Sequence, residues 1–213
     1  MHLAPEAPVG WDDRTAKLVL MQNSEDITRV ERALLFLHRI GIPLRRTGER
    51  AKSFLPGVWI EGGTLMYNLE DLRYPGDLFH EAGHLAIIPS MFRHLVPKSY
   101  DFEPVETTPF DEALNAYLED NPLMRPDYTE DPVIRGILQM GECEAIAWSY
   151  AAMLASGGDP ERCFTEDVKA YNGGGEEVHL MLEACSHYGI NGLQAGGMTT
   201  TKTYPMLTRW LQI

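Results

Sequence analysis

The sequence predicts a mostly helical α+β protein with one small antiparallel hairpin, and three observations carry that reading. Apolar residues recur at helical spacing in several segments bounded by Ser, Asp, Gly and Pro. One Gly-Gly pair joins two short runs rich in β-branched and aromatic residues. The chain of 213 residues, 44% hydrophobic and 23% charged, is long and apolar enough for one core and unlike a disordered chain. Residues 1–213 therefore read as a single domain in three stretches, 24–89, 90–133 and 134–213.

Taken in order, Ser24-Glu25-Asp26 offers an N-cap with acidic residues in the first turn. Ile27, Val30, Leu34 and Leu37 share a face, so a helix is expected over 24–40. Gly41 ends it, with Pro43 beyond. The runs 57–61 and 64–68 flank Gly62-Gly63, glycines that accept the positive φ of a two-residue hairpin loop. Pro75 suits a first helical position and Pro89 stops a chain, so 75–88 reads as a helix. Residues 90–133 hold six prolines and ten acidic against three basic residues. They read as an acidic, Pro-rich insertion with one short helix from Thr108 through Leu118. Asp131-Pro132 opens the longest helix, which runs to Gly157-Gly158. Another begins at Asp159-Pro160, and a further one runs from Glu176 to about Tyr188. Gly192 to Thr203 reads as loop, and Tyr204-Pro205 as the start of a last amphipathic turn.

Lys and Arg total 18 against 31 Asp and Glu, a net charge of -13 that repels phosphate backbones and anionic lipid. No nucleic-acid partner and no membrane are expected. No apolar run approaches the roughly 18 to 20 residues of a membrane helix. Cys143, Cys163 and Cys185 have no short paired spacing and form neither a disulfide framework nor a CxxC knuckle. Without a basic and then apolar leader at the start, the expected location is cytoplasmic.

Inside the 75–88 helix stands Phe79-His80-Glu81-Ala82-Gly83-His84-Leu85, an HExxH motif. Residues four apart share a helix face, so His80 and His84 can converge on one metal ion with Glu81 beside them. The ion makes hydroxide available near neutral pH and the carboxylate accepts the proton, which together point to hydrolysis. Leu78, Phe79, Ala82, Leu85, Ala86 and Ile87 make this helix apolar nearly all round, and such helices are buried. Buried polar groups need partners.

A tetrahedral catalytic site wants a third protein ligand and an open position for water. Ile87 and Ser90 stand where a metzincin would carry Gly and His, so the ligand must come from elsewhere. Gly141-Glu-Cys-Glu-Ala145 offers two glutamates on the next long helix. At 100° per residue Glu144 shares a face with Ile137, Met140, Gly141, Ala147, Trp148 and Ala151, whereas Glu142 lies with Arg135, Gln139 and Ser149 as well as Leu138 and Ile146. That arithmetic favours Glu144. His179 and His187 are further candidates, either of which could bind an oxyanion in the transition state.

A hairpin, an HExxH helix and a later helix carrying Glu-Ala resemble the zincin metallopeptidase fold in its gluzincin branch. The order of elements is similar to the compact ImmA/IrrE-type metallopeptidases. The resemblance implies zinc held by His80, His84 and Glu144, Glu81 as general base, and a peptide or protein substrate. A second pattern is also present: Glu31, Glu81-x-x-His84, Glu144 and Glu176-x-x-His179 follow the ligand order of ferritin-like di-iron carboxylate proteins. The shortness of 75–88 and the hairpin speak against that bundle. A third alternative is a zincin scaffold that regulates without turnover.

Overall fold

The computed structural model describes residues 29–50, 55–72, 74–96, 109–120, 141–160 and 175–213, and is a mixed α+β fold of helices around one small sheet. Helix α1 (Arg29–Arg39) buries Ala33, Leu34 and Leu37, and Gly41 at φ 92° ends it as Ile42 N–H returns to Leu37 O. Three strands follow, β1 (Leu44–Arg46), β2 (Val58–Glu61) and β3 (Thr64–Tyr67). β2 and β3 form the expected antiparallel hairpin, pairing Val58 with Tyr67 and Glu61 with Thr64 across Gly62 (φ 55°) and Gly63 (φ 73°). β1 lies parallel to the far side of β3 and makes the sheet mixed, in the order β1-β3-β2. Sequence reading missed β1 because three residues, two of them exposed arginines, carry no alternation to detect.

Helix α2 (Pro75–Ile87) carries the HExxH motif, and every residue from Pro75 to Ile87 except Glu81 and His84 is buried. It packs against α1, β2 and β3 on one side and against α5 (Glu142–Ala155) on the other. Fully burying side chains such as Leu78, Phe79 and Leu85 contributes roughly 1.5 to 3 kcal/mol each. Phe36 of α1 meets Phe79 edge-on at 6.0 Å and Trp210 at 4.9 Å, and Trp148 Nε1 donates to Trp210 O at 2.9 Å. The C-terminal segment is thereby bound to both α2 and α5. No described helix is long and apolar enough to cross a membrane.

The stretch expected to begin at residue 90 opens with a short helix. Ser90–Arg93 forms α3, and its Phe92 is buried beside Ile88. Helix α4 (Pro109–Asp120) covers the short helix expected within the insertion and sets Tyr117 edge-on to Phe92 at 5.8 Å. The rest of the 90–133 stretch, the first residues of the 24–40 and 131–157 helices, and most of the one expected from Asp159 lie outside the described residues.

The helix expected from Glu176 to Tyr188 is two helices, α6 (Glu176–Glu183) and α7 (Tyr188–Ala195). Cys185 at φ 55° turns the chain between them, and His187 Nδ1 accepts Gly189 N–H as the cap of α7. The Gly192–Ala195 part of the expected loop is thus helical. From Tyr204 onward the chain forms turns and bends in place of the expected amphipathic turn of helix.

Arg93 closes the C-terminal end of α2. Its Nε donates to Leu85 O at 2.8 Å, and its Nη2 to Ile88 O at 2.9 Å and Gln212 O at 3.0 Å. Carbonyls at a helix end have no partner within the helix, so one guanidinium serves two of them and anchors the chain terminus as well. Arg93→Met keeps the apolar stem and removes the donors. It should lower unfolding free energy by about 3 kcal/mol, read as a lower urea midpoint at unchanged slope.

Candidate metal centre

The two motif histidines stand one turn apart on α2 with ring centroids 4.9 Å apart and planes at 81°. Their Nε2 atoms approach to 3.2 Å. Glu142, the first residue of α5, reaches across from the facing helix, with Oε1 3.3 Å from His80 Nε2 and Oε2 3.2 Å from His84 Nε2. Among the described residues these three form the one group whose ligand atoms lie close enough to share a metal ion. Side-chain exposure rises from 6% at His80 to 28% at His84 and 43% at Glu142, so the site opens to solvent on the Glu142 side.

The structure thus brings Glu142, and not the expected Glu144, to the two histidines. Gly141 is the N-cap of α5, in extended conformation at φ -104° and ψ 170°, so the helix expected to run unbroken from Asp131-Pro132 to Gly157 is corrected: α5 starts at Glu142, and a phase counted from 131 does not apply to it. Glu144 turns back along the helix, where its Oε2 accepts Gly141 N–H at 3.1 Å, half of a capping box whose other half glycine has no side chain to make. The face arithmetic also misread Ser149, taken as a sign of solvent. Ser149 is buried, and its hydroxyl lies 2.9 Å from Phe79 O on α2 and 2.7 Å from Ala145 O. The face shared by Glu142 and Ser149 is the one turned toward the motif helix. A small polar residue seven positions after a glutamate was the available signal. Arg135 and Gln139, the other residues used against Glu142, lie outside the described residues.

Electrostatics at the site are sharply divided. Burial, then the neighbouring His84 charge, push the His80 imidazole down to about 4 against a weaker pull from Glu142. Burial works against charged His84 as well, but its hydrogen bond to Glu142 and the Glu81 and Glu142 charges outweigh it and hold the ring above its ordinary value. Burial raises Glu142, and the bond to His84 with both imidazole charges more than reverses that, leaving it below the usual carboxylate range. Glu81 is pushed up to about 7, chiefly by burial and further by Glu142, with His84 opposing.

The remaining sequence candidates are not brought to this group. His187 is buried as the cap of α7 with its Nδ1 engaged by Gly189 N–H, and burial lowers its pKa. His179 lies beside Tyr150, ring centroids 6.0 Å apart. Glu176 lines a shallow groove on α6 with Glu177, Leu180 and Met181. With Glu144 spent on its own helix start, the carboxylate-rich di-iron set is not assembled among the described residues. No protein-family model, curated protein or solved structure matches this chain.

The pKa directions give a test on metal-free protein. His84, raised, adds stability that is present below the unfolded value of about 6.5 and lost as pH rises through its higher native value. His80, lowered, adds stability present above about 6.5 and lost as pH falls through about 4. Imidazole proton resonances should show two well-separated titrations, His84 above 6.5 and His80 near 4. Coincident titrations near 6.5 would disprove the assigned geometry.

Proposed function

We propose that this chain is a zincin-type metallohydrolase in which His80, His84 and Glu142 hold zinc, Glu81 is the general base and a peptide or protein segment is the substrate. The observation that carries the reading is the cluster of ligand atoms: the two imidazole Nε2 atoms lie 3.2 Å apart, with Glu142 Oε1 3.3 Å from His80 Nε2 and Glu142 Oε2 3.2 Å from His84 Nε2. Ligands about 2.0 to 2.1 Å from a tetrahedral ion lie about 3.3 to 3.4 Å from one another, so these side chains would need little rearrangement to bind one. Two imidazoles and a carboxylate are also a donor set that leaves the fourth zinc position open.

When bound, the ion supplies Lewis acidity, which acidifies a water ligand and polarises a carbonyl. The chain's own part is to hold and move the proton. Glu81 follows His80 on the buried helix and feels the charges of both His84 and Glu142, which places it within the same local field. Burial that pushes this carboxyl up to about 7 in the chain without metal raises its proton affinity, which a bound cation would moderate by favouring the ionised form that accepts a proton. His84 and Glu142 border the open side, the route by which an extended peptide segment would approach. The net charge of -13 favours segments of opposite sign.

Elemental analysis of the purified chain should find close to one zinc and little iron. Glu142→Ala should lose most of that zinc, since two histidines alone make a weak site. Glu144→Ala should keep it while costing about 1 kcal/mol at the start of α5. Glu81→Gln should retain zinc and lower peptide hydrolysis by about 10² or more. Zinc that survives Glu142→Ala would refute the ligand set, and hydrolysis undiminished in Glu81→Gln would refute the base.

A further inference from the structure

Glu142 is useful as a ligand only at one depth over His80 and His84, so the spacing of α2 and α5 near the site decides whether an ion can be held. That spacing is set by backbone contact. Gly83 lies between the two histidines on α2, and Ala145 lies one turn after Glu142 on α5. A Cβ on Gly83 would stand 2.8 Å from Ala145 O and 3.1 Å from Ala145 Cα. Both neighbours are main-chain atoms, which no rotamer change can move aside, so the helices approach this closely because residue 83 has no side chain.

Two further contacts hold the same turn of α5. The Ser149 hydroxyl bridges Ala145 O and Phe79 O, tying α5 to the turn of α2 that carries His80. From α7, Gly189 in its first turn rests on the carbonyl of Cys143, where a Cβ would overlap the Cys143 and Glu144 backbone. The residue after Glu142 is thus pressed from α7 while the residue three after it rests on α2.

We infer that Gly83, Ser149 and Gly189 are positioning residues for the third ligand, clamping the first turn of α5 so that the Glu142 carboxylate meets both imidazoles. The inference rests on the proposed reading that these three residues share an ion. It assigns a role to residues that touch neither ion nor substrate. Added bulk at Gly83 drives α5 away from the histidines. Added bulk at Gly189 strains the seat of α5, and loss of the Ser149 hydroxyl releases its tether without adding volume.

The test is a set of zinc affinities, measured by competition with a chromophoric chelator on the full chain. Gly83→Ala, Ser149→Ala and Gly189→Ala are made in the wild-type background and again with Glu142→Ala. Gly83→Ala and Gly189→Ala should each weaken zinc binding about 10- to 100-fold, and Ser149→Ala about 3- to 10-fold. In the Glu142→Ala background each change should be under about 2-fold, because no third ligand is left to misplace. General damage to the fold would lower affinity equally in both backgrounds, and that result would overturn the inference. So would unchanged affinity in folded variants. Should either glycine variant fail to fold by circular dichroism, Ser149→Ala, which removes one oxygen and adds no bulk, decides the matter by the same comparison. A wild-type chain that binds no zinc overturns the metal reading itself, whereas zinc bound by wild type with no background-dependent loss overturns the clamp alone.

Discussion

Everything in this structure follows from the burial of α2. A helix apolar on nearly every side is stable only when covered on every side, and α1, the β2-β3 hairpin and α5 supply the cover. The same helix carries two imidazoles and a carboxyl in consecutive turns. Desolvation makes their charged forms expensive, which is why His80 is driven to about 4 and Glu81 to about 7. Glu142 relieves part of that cost through its bonds to both rings, and a bound cation would relieve more by favouring neutral imidazole and ionised carboxylate together.

The scaffold is built to keep that helix still. Arg93 and the Gln212 N–H occupy carbonyls at the C-terminal end of α2, Ser149 holds its middle, and Phe36 with Trp210 closes the face away from the site. Tyr204 donates to Ala147 O and Trp148 to Trp210 O, so the C-terminal segment fixes α5 as it fixes α2. Both ligand-bearing elements are helices anchored on several sides, a better support for precise geometry than loops would be.

Glycine has a different task at each of its close contacts. Gly62 and Gly63 supply the positive φ of a hairpin turn, where Gly63 also rests on Arg93 O. Gly83 and Gly189 have ordinary backbone angles and matter because they have no volume. The motif glycine of Phe79-His-Glu-Ala-Gly-His-Leu85 is therefore explained by helix packing and not by chain flexibility.

The sequence by itself determined the class of the fold, the hairpin, the buried helix and the placing of His80 and His84 on one face of it. Each is written in local spacing: four positions from His80 to His84, two glycines between two short strands, prolines at either end of an apolar helix. It could not determine which glutamate meets those histidines, because Glu142 and Glu144 are two residues apart and helical phase alone must tell them apart. That phase depends on where α5 starts, and the start is set by Gly141 taking an extended conformation that the sequence does not announce. Ser149 likewise reads as polar in the sequence, and only contact with Phe79 O shows that its polarity is spent inside the protein. β1 and the break between α6 and α7 were hidden for the same reason. A parallel partner strand and a left-handed Cys185 are stabilised by distant neighbours, and their own residues carry no pattern that reports those neighbours.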